Sequence, residues 1–208
     1  MHDFLEGNRR AAGTGAAAPA RSWNQWHSPH DRTEGERTVA AAANDSVGIV
    51  ALLRYLASVI PLCRARRQEL SLLLIESHAG TILGLADSDV AAQIRQALER
   101  ECHAYGLGDV QLMSITASQL AAVLPHCERR QAIALANEVL SQFVEIPLGS
   151  TPKQDVPQVV STVTASAGVA TVAAIPKNFD PWRLVESAER CLYAARSCNT
   201  NTVKSIEM

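Results

Sequence analysis

The stretch "LSLLLIE", Leu70 to Glu76, constrains the fold more than any other part of the chain. It is a near-continuous apolar run of strand length, and successive side chains of a strand point to opposite faces of a sheet. A strand apolar on both faces has no solvent side, so it belongs inside a sheet covered above and below. The rest of the chain supplies the cover. Asn44, Asp45 and Ser46 offer helix N-caps, after which Val50, Leu53, Ala57 and Ile60 recur at helical spacing. That helix is expected to run to about Arg67, with a bend near Pro61. Asp87 or Ser88 caps a second helix with Val90, Ile94, Ala97, Leu98 and Cys102 on one face. A third, Glu128 to Phe143, buries Ile133, Ala136, Leu140 and Phe143, and a fourth starts with Asp180 as N-cap and Pro181 at its first position.

Between the helices lie further strands. "DVQLMSI" and "LAAVL" flank the polar break "TASQ" and read as a hairpin. "VVSTVTASAGVATVAA" is β-branched and roughly alternating, a long strand in which Gly168 marks a bulge or a close backbone approach. "NTVKSIE" reads as a last strand. The order helix, β, α, β, β, α, β, α, β predicts an α+β domain with a mainly antiparallel sheet flanked by helices, of the ferredoxin-like or polymerase-palm kind.

Residues 1–45 are rich in Ala, Gly, Ser, Pro, Arg and Asn without apolar period, the composition of a disordered tail, and Trp23, Trp26, His27 and His30 sit within it. The domain organisation is then a tail over 1–45, a leading signalling helix over 46–68 and an α+β domain over 69–208. With 47% hydrophobic residues the chain is globular in composition, and a net charge of -2 gives no footprint for nucleic acid. Five cysteines, none in CxxC spacing, read as free thiols and suggest neither a disulfide framework nor a zinc site. The run "VGIVALLRYLASVIPLC" contains Arg54 and Pro61 and falls short of the ~20 apolar residues of a membrane span. It is expected to be a buried or interface helix of a soluble, cytoplasmic protein.

Four segments, in order, resemble GGDEF domains, the diguanylate cyclases: "RARRQELSLLLIE", "LAAVLPHCERRQAIALANEVL", "TVTASAGVAT" with its Ser166-x-Gly168, and "LVESAERCLYAARSCNTNTV" with Leu192-Tyr193. The resemblance places Leu120 on the Phe of the signature. Thr116, Ala117, Ser118 and Gln119 then fall on the Gly-Gly-Asp/Glu-Glu turn. It implies a GGDEF-like palm fold in which the signature turn is lost.

In that family two GTP molecules are joined by attack of a 3′-hydroxyl on an α-phosphate, which calls for divalent metal ions held by carboxylates. One carboxylate ends the first strand and another lies in the turn. Here the first position is Glu76, the nearby Asp is His78, and the turn's acid is Gln119, a poor Mg²⁺ ligand. The turn glycines, suited to φ > 0, are Thr116 and Ala117. The segment "SHAGTILGLADSD" is shorter than the family's phosphate- and guanine-binding loop and lacks its Phe-Lys and Asn-Asp pairs. Arg196 stands where the family has a phosphate-contacting Lys, and of the inhibitory Arg-x-x-Asp only Asp109 has a counterpart, with Gly106 and Leu107 in the Arg region.

The resemblance therefore implies no catalytic residues and no cyclic di-GMP synthesis, with Glu76, His78 and Arg196 as residual nucleotide contacts and Glu76 as the one residual metal ligand. Structural readings stand beside these: Glu76 as a solvated loop-mouth carboxylate, Arg196 as a complement to its helix macrodipole, Arg129 and Arg130 as a solvated helix face, and Leu192 and Tyr193 as core. No cofactor is expected, with Mg²⁺ needed only if a GTP-type nucleotide binds. The expected role is a signalling or interaction module that meets a protein partner or a second copy through helix 46–68. The alternatives are a nucleotide-sensing pseudoenzyme and a residually active cyclase.

Overall fold

The computed structural model describes residues 37–79, 87–143, 163–198 and 201–208. In chain order the elements are α1 (Arg37–Arg66), β1 (Leu70–Ala79), α2 (Asp87–Ala104), β2 (Gln111–Ser114), β3 (Gln119–Pro125), α3 (Arg129–Ser141), β4 (Val163–Val172), α4 (Pro181–Cys198) and β5 (Val203–Glu207). The strands form one sheet in the order β2-β3-β1-β4-β5. β1 is central and antiparallel to both β3 and β4, while β5 joins β4 in parallel.

The apolar run Leu70–Glu76 lies in this central strand. Leu70, Leu72 and Leu74 face α1 and α4 together with Ala121, Val123, Ala170 and Val172. Leu73 and Ile75 face α2 and α3 with Ala122, Leu124, Ala165 and Val169. Burying each such side chain contributes roughly 1.5–3 kcal/mol, so the strand anchors two cores at once. The one polar residue inside the run, Ser71, is satisfied: its hydroxyl donates to the Cys127 carbonyl at 2.7 Å and is bonded to Thr171 Oγ1 at 2.6 Å.

Local chemistry sets the ends of the helices. Arg67 takes φ 54, and the Gln68 N–H reaches back to the Cys63 carbonyl at 2.8 Å, closing α1 in a Schellman motif. Gly106, φ 69, ends α2 in the same way, with the Leu107 N–H on the Cys102 carbonyl. Asp180 Oδ1 accepts from the Trp182 N–H at 3.0 Å, the N-cap expected from the sequence. Gly168 is a point of close approach: a Cβ there would lie 2.8 Å from Leu192 Cα and closer still to backbone atoms of α4, so only glycine lets that helix settle on β4.

α1 departs from expectation in three ways. Its backbone is helical from Arg37, so 37–45, read as tail, precedes the expected start at 46; "TVAAAA" is rich in the best helix former. Its buried face is Leu52, Leu56, Val59, Ile60 and Cys63, while Val50 is 42% exposed and Ala57 is also exposed. The face phased on Val50 and Ala57 is therefore wrong. Third, while α1 continues past Pro61 to Arg66 as expected, its segment Val47–Arg66 is long and apolar enough to cross a membrane by length and composition, against the expectation that the run falls short. One side of that segment is nonetheless built into the core against the sheet. The segment 1–36, with Trp23, Trp26, His27 and His30, lies outside the described residues.

Candidate functional site

The register of the sheet brings together residues distant in sequence. Glu76 stands opposite Gln119 on β3 and opposite Ser166 on β4. By the two-residue period of a strand all three share the face of Leu74, Ala121 and Gly168, the face that carries α4. From the last turn of α4, Arg196 Nη1 donates to Glu76 Oε2 at 3.0 Å. His78, two residues further along β1, is partly buried. Burial pushes its pKa below the ordinary 6.5; the Glu76 carboxylate opposes that shift and the Arg196 guanidinium adds to it. The residual-site residues Glu76, His78 and Arg196 are thus neighbours, and Gln119 sits beside them, 9% exposed. The Ser166 hydroxyl, on a residue 1% exposed, has no hydrogen-bond partner among the described residues.

The turn 116–119 is held by a side chain. Thr116 Oγ1 accepts from the Gln119 N–H at 3.0 Å and the Ser118 N–H at 3.2 Å. The Ile115 N–H bonds the Gln119 carbonyl at 2.9 Å, and Ser77 donates to the Ser118 carbonyl from its N–H at 2.9 Å and its hydroxyl at 3.2 Å. None of Thr116, Ala117, Ser118 and Gln119 has positive φ. The residues without glycine's freedom are therefore unstrained, because a threonine hydroxyl does the local work of a turn. Sequence reasoning missed Thr116 in this role and Ser77 altogether; the signal for the first was a Thr whose hydroxyl can accept from N–H groups two and three residues on. Beneath the turn, Ile115 is 3% exposed and α1 crosses closely: a Cβ on Gly48 would lie 2.5 Å from the Ile115 carbonyl oxygen.

Two other readings are corrected. Arg130 is exposed as expected, but Arg129 is only partly exposed and is engaged: its Nε donates to Ser205 Oγ at 3.0 Å and its Nη2 to the Ser205 carbonyl at 3.4 Å, tying α3 to β5. Tyr193 is 60% exposed rather than core, whereas Leu192 is 3% exposed. All five cysteines are free, with Cys198 alone exposed. At the other end of the β1/β3 ladder, near Pro125, Asp109 lines a concavity of about 400 Å³ with Tyr55, Cys63, Arg66, Gln68 and His126.

The donors near the turn do not fit the Mg²⁺ clamp that the family chemistry calls for. Among the described residues no three His, Cys, Asp or Glu side chains converge on one point. Glu76 is already engaged by Arg196, and its cross-strand neighbour is a neutral amide. Mg²⁺ wants carboxylate oxygens in near-octahedral array, which this set does not supply.

The sequence matches no family profile and no curated protein. Solved structures do resemble the fold. The GGEEF domain of an active diguanylate cyclase from Vibrio cholerae matches with TM-score 0.57 at 16% identity, over 75% of this chain and 92% of that one. The GGDEF domain of the Pseudomonas aeruginosa protein TpbB, or YfiN, matches with TM-score 0.59 at 18% identity, over 75% and 87%. The coiled coil and GGDEF domain of DgcB from Caulobacter crescentus, solved with c-di-GMP, matches with TM-score 0.56 at 12% identity, over 82% and 91%. The five-stranded sheet between α1/α4 and α2/α3 is the fold of GGDEF domains of diguanylate cyclases.

Proposed function

We propose that this chain is a catalytically silent GGDEF-fold domain that works in the cytoplasm as a signalling or interaction module and makes no cyclic di-GMP. The observation that carries the reading is the pairing of Glu76 with Gln119. The β3 position across from the Glu76 carboxylate holds an amide, where metal-assisted phosphoryl transfer calls for charge. Removing one well-placed electrostatic group already costs ~10²–10³-fold in rate. The test is incubation with GTP and Mg²⁺ or Mn²⁺, with mass-spectrometric detection of product and the Vibrio cholerae domain alongside. The expected result is no cyclic di-GMP above background. Product that disappears with Glu76→Ala would sink the reading.

The interaction surface in this proposal is the outer side of α1, and its occupant a second copy of the chain. Val47, Val50 and Leu62 are 67%, 42% and 56% exposed there, apolar side chains interrupted by the exposed Arg54 and Ser58 and with no described partner. The solved structure that includes a coiled coil aligns with 82% of this chain, against 75% for the Vibrio cholerae domain, and a leading helix of that kind is the sort of surface on which a second copy would dock. Light scattering should report a dimer that Val50→Glu with Leu62→Glu converts to a monomer; a monomeric wild type at high concentration excludes it. The convergence of Glu76, His78 and Arg196 favours one second reading, a pseudoenzyme that holds a GTP-type nucleotide without turnover. A melting temperature that stays flat in a GTP/Mg²⁺ titration would remove it, since ligand at 100 Kd stabilises by ~2.7 kcal/mol.

A further inference from the structure

We infer that Arg196 is the built-in counter-ion of Glu76 and occupies the place a divalent cation would take, so that the site is closed to metal by an internal ion pair as well as by a missing ligand. Three observations meet here. Arg196 Nη1 lies 3.0 Å from Glu76 Oε2. The Glu76 side chain is 20% exposed against 48% for Arg196, so the carboxylate is the more enclosed partner of the pair. Glu76 shares its sheet face with Gln119, Ser166 and His78, and among the described residues it is the Arg196 guanidinium that is in hydrogen-bond contact with its carboxylate.

A guanidinium stays protonated at any pH a protein survives, so this counter-ion cannot be titrated away. A metal would need the Glu76 oxygen at about 2.0–2.1 Å, and would have to displace a donor already on it against the repulsion of a fixed positive charge. The pair need not add much stability, since partly exposed ion pairs contribute little. Its effect is on what can bind. The cross-strand register also fixes what would reopen the site: a carboxylate at 119, beside Glu76, once the guanidinium has gone.

The inference deepens the silent-site reading, yet its test reads ion binding rather than product. Free Mn²⁺ is followed by electron paramagnetic resonance during titration into the wild type, Arg196→Ala, Gln119→Glu and the double variant. The wild type and Gln119→Glu are expected to bind Mn²⁺ weakly and without saturation, and the double variant at least ~10-fold more tightly than the wild type. Equal binding by the wild type and the double variant, whether tight or weak, overturns the inference. Should the double variant lack its native circular dichroism, Arg196→Gln with Gln119→Glu replaces it under the same criterion. Should both be unfolded, Arg196→Gln alone must bind Mn²⁺ more tightly than the wild type, and failure to do so overturns the inference. Cyclic di-GMP made by the wild type would refute the silent-site reading whatever the Mn²⁺ result.

Discussion

Removing the hydroxyl of Thr116 while keeping its shape isolates what holds the 116–119 turn. Thr116→Val deletes the acceptor used by the Ser118 and Gln119 N–H groups. We expect a loss of about 1 kcal/mol in urea unfolding, with Thr116→Ser close to wild type, because the cost is that of backbone donors left without a partner. Equal stability of all three would show that the Ile115 and Ser77 bonds hold the turn alone. At this scale the sequence is uneven to read. The facing of Glu76 and Gln119 follows from the family pattern once the hairpin is aligned. The Glu76–Arg196 contact joins residues 120 apart in the chain, and only the stacking of α4 on β4 brings them together. Arg129 was misread for the same reason: its partner Ser205 lies 76 residues away.

Among the elements, those whose polar residues mark a solvent side were legible and α1 was not. In α2 the expected face of Val90, Ile94, Ala97, Leu98 and Cys102 is the buried one, because Gln93, Arg95, Glu99 and Arg100 leave no other choice. In α1 the segment from Val47 to Cys63 is apolar nearly all round, and such a helix carries no phase of its own. Tertiary contacts choose, and the backbone approach at Gly48 and Ile115 helps fix the choice. A pair of truncations separates the two phases. Leu56→Ala, at a side chain 0% exposed, should cost about 2–5 kcal/mol. Val50→Ala, at 42% exposed, should stay within about 0.5 kcal/mol in the monomer. Similar small effects at both sites would mean that α1 does not pack on the sheet in solution.

For the whole molecule, element order and the two-sided burial of β1 were readable because each element is a local pattern, whereas the strand order β2-β3-β1-β4-β5 is set by long-range pairing that no local pattern carries. What no local pattern gave is the collective titration of the interior. Burial raises the thiol of Cys102 from 9.0 to about 11 and that of Cys127 from 9.0 to about 12. It also raises Cys63, Cys191 and the Tyr55 phenol, the last beside Asp109. Each of these groups is held neutral in the fold and ionises more readily in the unfolded chain. Above pH 9 the unfolded state therefore binds fewer protons than the native state, and stability must fall as pH rises. The contribution is fully present below the ordinary thiol value and is lost progressively towards the folded values near 11 and 12. His78 acts at the other side: its lowered pKa contributes stability above 6.5 that is lost as pH falls. Urea midpoints should accordingly be flat between roughly pH 7 and 8.5 and drop by pH 10, the window set by these ordinary values. Cys127→Ala would lower the midpoint at pH 7.5 through its cavity, yet should shrink the drop between pH 7.5 and 10. A drop of unchanged size in that variant would place the alkaline sensitivity elsewhere than in the Cys127 thiol, while a midpoint that holds at pH 10 would mean the interior thiols are not kept neutral by the fold.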